Sequence, residues 1–294
     1  MTIRPRRSVL YMPGSNARAL EKARTLPADA LILDLEDAVA PDAKDVARRQ
    51  VAEAVAARGF GPREVVVRIN ALATRWGEED LAAAAAAGPD AVLVPKVEDA
   101  EGVFEIGRRL ARLGAPATTA IWVMIETPRA VLDPLSIAAA REEEAGRRLA
   151  CFVMGTNDLA KETRARLVPG RAPMLGWLAN SVAAARALGL DVVDGVYNGL
   201  DDAAGFEAEC VQGRDLGMDG KTLIHPSQIE PANRAFAPSE AEVAQAKTLV
   251  AAFDAPENAA KGALAIDGRM VERLHAEIAR RTVALAEAIA ARGA

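Results

Sequence analysis

A short run of apolar residues that ends on a polar one recurs eight times along this chain, and a helix-length segment follows each time. The clearest example is residues 121–126, where five apolar side chains precede Glu126 and where Thr127 and Pro128 stop the strand. Such a run is typical of a strand buried on both faces of a parallel sheet. Eight strand–helix alternations over about 235 residues match a barrel in number and size. We therefore predict an α/β fold, a (β/α)8 TIM barrel.

The chain has 294 residues, and the predicted barrel takes residues 1–237. Residues 238–294 are not needed to close it. Their pattern predicts a helix, a break at Pro256, a short strand or turn over residues 262–270 and a long amphipathic helix. A separate domain of under about 60 residues would have a thin core. We expect this C-terminal helical extension to act as a lid or to make contacts in an oligomer.

The net charge of the chain bears on whether it binds nucleic acid. The net charge is -5, the sequence pI is near 5.4 and no basic block is present, so nucleic acid is not an expected partner. Neither a signal peptide nor a membrane span is predicted, which favours a cytoplasmic enzyme. With two cysteines and two histidines, the chain offers neither a disulfide framework nor a histidine-rich metal site.

Catalytic groups of such barrels lie at the carboxyl ends of the strands. The polar residues at the predicted strand ends are Glu36, Asp37, Arg68, Asn70, Lys96, Glu126, Asp158, Tyr197, Asn198 and His225. Glu126 and Asp158 follow neighbouring strands, and two such carboxylates suit Mg²⁺, which could stabilise an enolate. Arg68 presents a fork of donors that suits a carboxylate or an oxyanion. The alternative for each residue is an ion pair that lines the barrel mouth without taking part in chemistry.

Support for a functional role is weaker at two other places in the sequence. Arg18 and Lys22 follow the Gly-Ser-Asn turn at residues 14–16, where a helix N-terminus with basic residues suits a phosphate. The same spacing is also that of an ordinary solvated helix face. His225 stands before Pro226, and we interpret it as a structural cap rather than a base.

Seven motifs occur in one order and spacing. They are SVLYMPG at residues 8–14, LDLEDAV at 33–39, VRIN at 67–70, VPK at 94–96, MIETP at 124–128, GTNDL at 155–159 and IHPSQ at 224–228. This set resembles the citrate lyase β-subunit-like group of the HpcH/HpaI aldolase–citrate lyase superfamily, which also holds malyl-CoA lyases. The resemblance implies a Mg²⁺-dependent carbon–carbon lyase that acts on a CoA thioester of malyl-CoA or citryl-CoA type. Its other partner would be a 2-oxo acid such as glyoxylate or oxaloacetate, and a homotrimer or hexamer is usual.

The resemblance also assigns roles by position. Glu126 and Asp158 would hold the metal, and Glu126 and Arg68 would bind the substrate, with Arg68 also on the enolate oxygen. Glu36 and Asp37 would be catalytic residues that support the site. Arg18 and Lys22 would bind the CoA phosphates.

The chain departs from the family pattern near its C-terminal end. The family has Asp-Gly-Lys-Met-Ile/Val-Asp there, often followed by a proline, whereas residues 267–274 are DGRMVERL. The final aspartate, which reaches a neighbouring subunit's active site in relatives, is Glu272 here. We predict that Glu272 serves as a catalytic acid or base in trans. The alternative for Glu272 is a surface position near a helix N-terminus. Ala38 stands where related pyruvate aldolases have histidine, which argues against that branch.

Two other functions stay open from the sequence. A malyl-CoA thioesterase would use the same site with water as the attacking group and Glu272 as its general base. A noncatalytic or carrier-dependent β subunit of a citrate lyase complex would turn over no CoA ester alone. The presence of the metal-binding and substrate-binding residues disfavours an inactive subunit.

Overall fold

Eight parallel strands close into a barrel in the computed structural model, which describes residues 3–258, 260–266 and 268–293. The strands are β1 (Ser8–Pro13), β2 (Ala30–Asp34), β3 (Glu64–Arg68), β4 (Ala91–Val94), β5 (Ala120–Ile125), β6 (Leu149–Met154), β7 (Asp191–Asp194) and β8 (Gly220–Leu223). They lie side by side in chain order, and β8 pairs with β1 to close the ring. The predicted (β/α)8 barrel is confirmed.

Helices follow the strands as the alternation predicts. They are α1 (Ala17–Ala23), α2 (Lys44–Ala57), α3 (Gly77–Ala87), α4 (Ala100–Arg112), α5 (Pro128–Leu132), α6 (Pro134–Ala139), α7 (Thr156–Thr163), α8 (Leu175–Ala187), α9 (Ala203–Asp215) and α10 (Ile229–Phe236). Short 3-10 turns lie at Pro41–Ala43, Ala140–Glu142, Pro169–Arg171 and Pro226–Gln228. Apolar side chains on the outer faces of the strands and the inner faces of the helices form the larger core.

Alternate residues of each strand point into the barrel, because successive side chains of a strand face opposite sides. The inward cluster consists of Val9, Ala30, Ile32, Val66, Ala91, Leu93, Trp122, Met124, Cys151, Val153 and Val193. Two residues beyond Ile32, Val66 and Met124 come Asp34, Arg68 and Glu126, all buried. The strand period therefore carries these three charged side chains to the mouth of the barrel.

A charged cluster closes the opposite end of the interior. Arg6, just before β1, donates through Nε and Nη2 to the two carboxylate oxygens of Glu64 at 2.7 and 2.8 Å, and it also pairs with Asp191. Its guanidinium lies 4.9 Å from the ring centroid of Trp122. Glu64 and Asp191 begin β3 and β7, so this cluster marks the amino ends of the strands.

Asp158 was predicted at the end of the sixth strand, and it lies just beyond it, in the first turn of α7. An acid there is favoured by the helix dipole. Residues 133–140 were predicted to be helical, and α6 lies there with Asp133 as its N-terminal cap, whose side chain accepts a hydrogen bond from the Ser136 N–H at 3.1 Å.

The predicted seventh strand, residues 191–197, ends early at Asp194. Asp194 is fully buried and accepts hydrogen bonds from Arg171 at 2.6 Å and from Lys221 at 3.0 Å. Beyond it, Gly195 passes so close to Thr156 that a Cβ at this position would lie 2.5 Å from the Thr156 hydroxyl oxygen. Tyr197 and Asn198 therefore belong to a loop rather than to the strand.

The C-terminal segment has the predicted order of elements. It consists of α11 (Glu240–Asp254), a 3-10 turn (Pro256–Asn258), the antiparallel hairpin of β9 (Ala263–Ile266) and β10 (Arg269–Glu272), and α12 (Arg273–Gly293). Contacts group Arg6–Phe236 as one compact unit and the two chain ends, up to Pro5 and from Ala237, as another. The division at residue 237 into a catalytic barrel and a lid or oligomer extension stays a prediction. Asp267 of the C-terminal motif lies outside the described residues.

Candidate active site

Arg68 is held at the barrel mouth by Asp34, a residue that sequence reasoning missed. Arg68 ends β3 and Asp34 ends β2, and the two are register partners. Arg68 donates from Nε to Oδ1 and from Nη2 to Oδ2 of Asp34, both at 2.6 Å. This bidentate pairing fixes the plane of the guanidinium. The signal was present, because Asp34 is the first acid after the apolar run and shares the inward parity of Ile32.

Glu36 and Asp37 also reach Arg68, as expected for residues that support it. Arg68 Nη1 lies 2.8 Å from Glu36 Oε2 and 3.3 Å from Asp37 Oδ2. Burial raises the pKa of Glu36 to about 8, although Arg68 acts to lower it and Asp37 adds to the rise. Glu36 can therefore exchange a proton near neutral pH. Asp37 is far more exposed, with 72% of its side chain open to solvent.

The loop that carries Glu36 is held by a buried lysine. Lys44 Nζ donates to the backbone carbonyls of Leu35 and Glu36 at 2.8 and 2.7 Å. The carboxylate of Asp34 accepts from the backbone N–H groups of Glu36 and Ala38 at 2.9 and 3.0 Å. These bonds fix the loop backbone, so the position of Glu36 relative to Arg68 is built into the fold.

Glu126 and Asp158 converge on one cationic group. Glu126 is buried, and its Oε1 accepts from the Lys96 backbone N–H at 2.9 Å. Lys96 Nζ lies 2.5 Å from Asp158 Oδ1 and 3.4 Å from Glu126 Oε1. Burial raises the pKa of Glu126, and Lys96 partly offsets that rise. This pairing was not predicted from the sequence, and it arises because β4, which leads to Lys96, lies directly beside β5.

A glycine makes room for the Glu126 carboxylate. A Cβ added to Gly155 would lie 2.4 Å from Glu126 Cβ and 2.7 Å from Glu126 Oε2. Real Cβ atoms do not approach other atoms so closely. Gly155 follows β6 and precedes α7, so it also sets the direction in which Asp158 leaves the sheet.

Two further strand-end residues, Asn70 and His225, make contacts that hold loops in place. Asn70 donates to the Leu35 carbonyl at 2.8 Å and to Asp80 at 2.6 Å. His225 Nδ1 accepts from the Ser227 N–H at 3.2 Å and caps the following 3-10 turn, which agrees with the prediction of a cap.

Three predicted site residues lie outside these clusters. Arg18 and Lys22 are exposed on α1, a helix of seven residues whose cap is Asn16. Their contact with CoA phosphates stays a prediction. Glu272 ends β10, is exposed, and its backbone N–H donates to His275 Nδ1 at 3.0 Å. Its action in trans likewise stays a prediction.

The described part of the chain contains neither a cluster of three metal ligands nor a membrane-spanning helix. No group of three or more His, Cys, Asp or Glu residues there could hold a metal ion. A metal at this mouth would therefore take two carboxylates and complete its shell from water and substrate. Within residues 3–258, 260–266 and 268–293, no helix has the length and apolar character needed to cross a bilayer.

The protein is thus a (β/α)8 barrel with two charged clusters at its mouth. In one, acidic side chains hold Arg68, and in the other, Glu126 and Asp158 both contact the Lys96 ammonium group. Comparison with known proteins identifies the chain further. It belongs to the HpcH/HpaI aldolase/citrate lyase family, whose sequence model matches residues 7–226. The resemblance inferred from the seven motifs is confirmed.

Similarity to individual proteins extends over nearly the whole chain. It is 49% identical over 287 residues to a (3S)-malyl-CoA thioesterase of Cereibacter sphaeroides, covering 98% of this chain and 96% of that one. It is 35% identical to the citrate lyase subunit beta of Escherichia coli K12, covering 97% and 94%. The solved CitE of Mycobacterium tuberculosis, in complex with magnesium, acetoacetate and coenzyme A, is 30% identical, with a TM-score of 0.73 and coverage of 95% and 97%.

Proposed function

We propose that this protein is a Mg²⁺-dependent hydrolase of a malyl-CoA-type thioester. The observation that carries the site chemistry is the convergence of Glu126 and Asp158 on one cationic position in the barrel whose mouth also holds Arg68. The choice of hydrolysis over carbon–carbon cleavage rests on the 49% identity to a malyl-CoA thioesterase, against 35% to a citrate lyase β subunit. The order of the two candidates is thus the reverse of the order inferred from the sequence.

The residues present fit a magnesium ion. Mg²⁺ is commonly held by one or two carboxylates, with water and substrate oxygens completing the octahedron. Glu126 and Asp158 supply two such carboxylates, and their shared contact with Lys96 Nζ shows that a positive charge is held between them. The CitE relative is solved with magnesium. When bound, the ion supplies Lewis-acid polarisation of a substrate carbonyl.

The chain's own groups then account for binding and proton transfer. Arg68, oriented by Asp34, binds a carboxylate or carbonyl oxygen of the substrate. The ionised form of Glu36, whose pKa burial raises to about 8, accepts a proton from the attacking water, and Glu272 is the alternative base. Water adds to the thioester carbonyl, the carbon–sulfur bond breaks, and Glu36 returns the proton to the leaving CoA sulfur. The products are a hydroxy-dicarboxylate and free CoA.

Product analysis tests this proposal directly. Purified protein with Mg²⁺ and malyl-CoA should release free CoA thiol and malate in equal amounts. Formation of acetyl-CoA and glyoxylate instead would overturn hydrolysis in favour of the lyase. No turnover at all by the purified chain would favour a carrier-dependent subunit.

The lyase is kept as the second candidate because one observation favours it. The chain shares its fold with citrate lyase β subunits, including one from Mycobacterium tuberculosis solved with oxaloacetate and magnesium. An arginine and a metal site in one barrel mouth would stabilise an enolate as readily as a tetrahedral oxyanion. A 2-oxo acid would then be the second product.

Gly155→Ala provides a test of the space beside Glu126. We expect kcat/KM to fall by about a hundredfold, because a displacement of about 1 Å in a positioned group can cost that much. Mg²⁺ affinity, measured by calorimetry, should fall in parallel. The matched control is Gly176→Ala in α8, where an added Cβ meets no atom within 4 Å. Equal activity of the two variants would contradict the role assigned to Gly155.

Glu272 is tested by mixing inactive subunits. If Glu272 completes the active site of a neighbouring subunit, Glu272→Gln and Asp158→Asn proteins are each inactive, yet mixed oligomers recover part of the activity. Mixing is verified by mass spectrometry of the intact assembly. A fully active Glu272→Gln protein, or verified mixed oligomers without recovered activity, would exclude this role.

A further inference from the structure

Tyr11 lies at the barrel mouth beside the groups already described. It is the inward residue after Val9 on β1, and it packs against the interior cluster. The Arg68 guanidinium carbon lies 4.8 Å from the centroid of the Tyr11 ring. The ring thus covers one face of the guanidinium, in the geometry of a cation–π contact.

The Tyr11 hydroxyl has only a weak partner. Its hydrogen-bond acceptor is the Met124 thioether sulfur at 3.7 Å, and the described part of the chain provides no other partner for it. A thioether is a weak acceptor. Tyrosine hydroxyls at half-buried positions normally reach a stronger one. The Tyr11 hydroxyl is therefore a hydrogen-bond donor with only this weak acceptor.

The surroundings keep this hydroxyl protonated. Burial raises the pKa of Tyr11 well above its usual range; Arg68 opposes the rise, while Asp34 and Glu126 add to it. The same charges show that Tyr11 lies within electrostatic reach of both Arg68 and Glu126. At neutral pH the hydroxyl is thus a neutral donor between the arginine cluster and the acid pair.

We propose that the Tyr11 hydroxyl donates a hydrogen bond to the substrate oxygen that Arg68 binds. The proposal rests on the proposed function, because it takes a carboxylate or thioester oxygen as the acceptor. The carboxylates of Asp34 and Glu36 already take up much of the donor capacity of Arg68. A second donor is then needed at the same oxygen, and Tyr11 is the uncharged side chain that stacks on the arginine.

Tyr11→Phe isolates the hydroxyl, because phenylalanine keeps the ring over Arg68. We expect kcat/KM for malyl-CoA hydrolysis to fall roughly ten- to hundredfold, the range for one hydrogen bond to a charged group. The thermal midpoint should stay that of the wild type. Met124→Leu is the matched control, since it removes only the thioether acceptor and should change kcat/KM by less than about threefold. Equal losses in the two variants would mean that the hydroxyl only packs against Met124, and a Tyr11→Phe enzyme within about twofold of wild type would overturn the proposal.

A binding measurement separates this proposal from the proposed function. The chain contains two tyrosines, so protein made with tyrosine labelled with carbon-13 at the ring ζ carbon gives two NMR signals, which Tyr11→Phe assigns. Malate or oxaloacetate, added with Mg²⁺, should shift the Tyr11 signal more than the Tyr197 signal. No shift of the Tyr11 signal with either dicarboxylate would overturn the contact. A wild-type protein that shows the shift but hydrolyses no malyl-CoA would overturn the proposed function and leave the contact in place.

Discussion

Asp158→Asn should abolish Mg²⁺-dependent turnover and leave the barrel folded. The amide removes the charge that the metal requires and breaks the pair with Lys96 Nζ at 2.5 Å. Loss of groups that merely orient metal ligands costs about ten- to a hundredfold, so we expect loss of a ligand itself to exceed a hundredfold in kcat/KM. The measurement is kcat/KM over a range of Mg²⁺ concentrations, with calorimetric Mg²⁺ affinity and circular dichroism beside it.

The matched control for Asp158→Asn is Glu162→Gln. Glu162 is an exposed acid of the same helix, α7, and its partner is Lys161 on the surface. It should retain wild-type activity and Mg²⁺ affinity. Full wild-type activity in excess chelator would rule out the proposed metal role of Asp158 and Glu126 altogether.

Arg68→Lys has the second large expected effect. Lysine keeps the positive charge but cannot make the two parallel bonds to Asp34 at 2.6 Å, and it loses the planar face that stacks on Tyr11. We expect kcat/KM to fall by about a hundredfold, on the scale of removing one oxyanion donor. Initial rates over substrate concentration measure the fall, and circular dichroism monitors the fold.

A half-buried arginine between two outer helices serves as the control for this change. Arg48 in α2 donates to Asp80 in α3 at 2.7 Å, so Arg48→Lys disturbs an arginine–aspartate pair that does not include Arg68 or its acidic partners. Its effect should be on the thermal midpoint rather than on kcat/KM. A change in kcat/KM of less than about threefold for Arg68→Lys would mean that Arg68 is only structural.

The repeated apolar runs were sufficient to predict the barrel, because each strand is buried on both faces and reads as a continuous run. They also placed Arg68 and Glu126 at the mouth, since each interrupts or ends such a run. Asp34 was missed because Glu36 and Asp37, which follow it, were predicted to be the functional acids. Asp34 is two residues after Ile32, however, so the alternation of a strand already directs its side chain into the barrel. Strand parity is therefore the better guide to which of several adjacent acids enters a barrel.

Contacts between elements were harder to predict. Lys96 was recognised at a strand end, but its pairing with Glu126 and Asp158 depends on a backbone turn in which Lys96 has a φ of 56°. This left-handed backbone conformation is visible only in the folded chain, because residues other than glycine adopt it rarely. The helix that carries Asp158 was missed because eight residues are too few to show a helical period.

The cluster of Arg6, Glu64 and Asp191 has a consequence for synthesis of the chain. A ribosome produces Arg6 and Glu64 early, but the second acid comes only with β7, after most of the barrel has been made. Until then Arg6, which stacks on Trp122, lacks one of its two acidic partners, and the barrel lacks its last two strands. Nascent chains that stop before residue 191 should therefore behave as unfolded polypeptides that need chaperones, rather than as stable half-barrels.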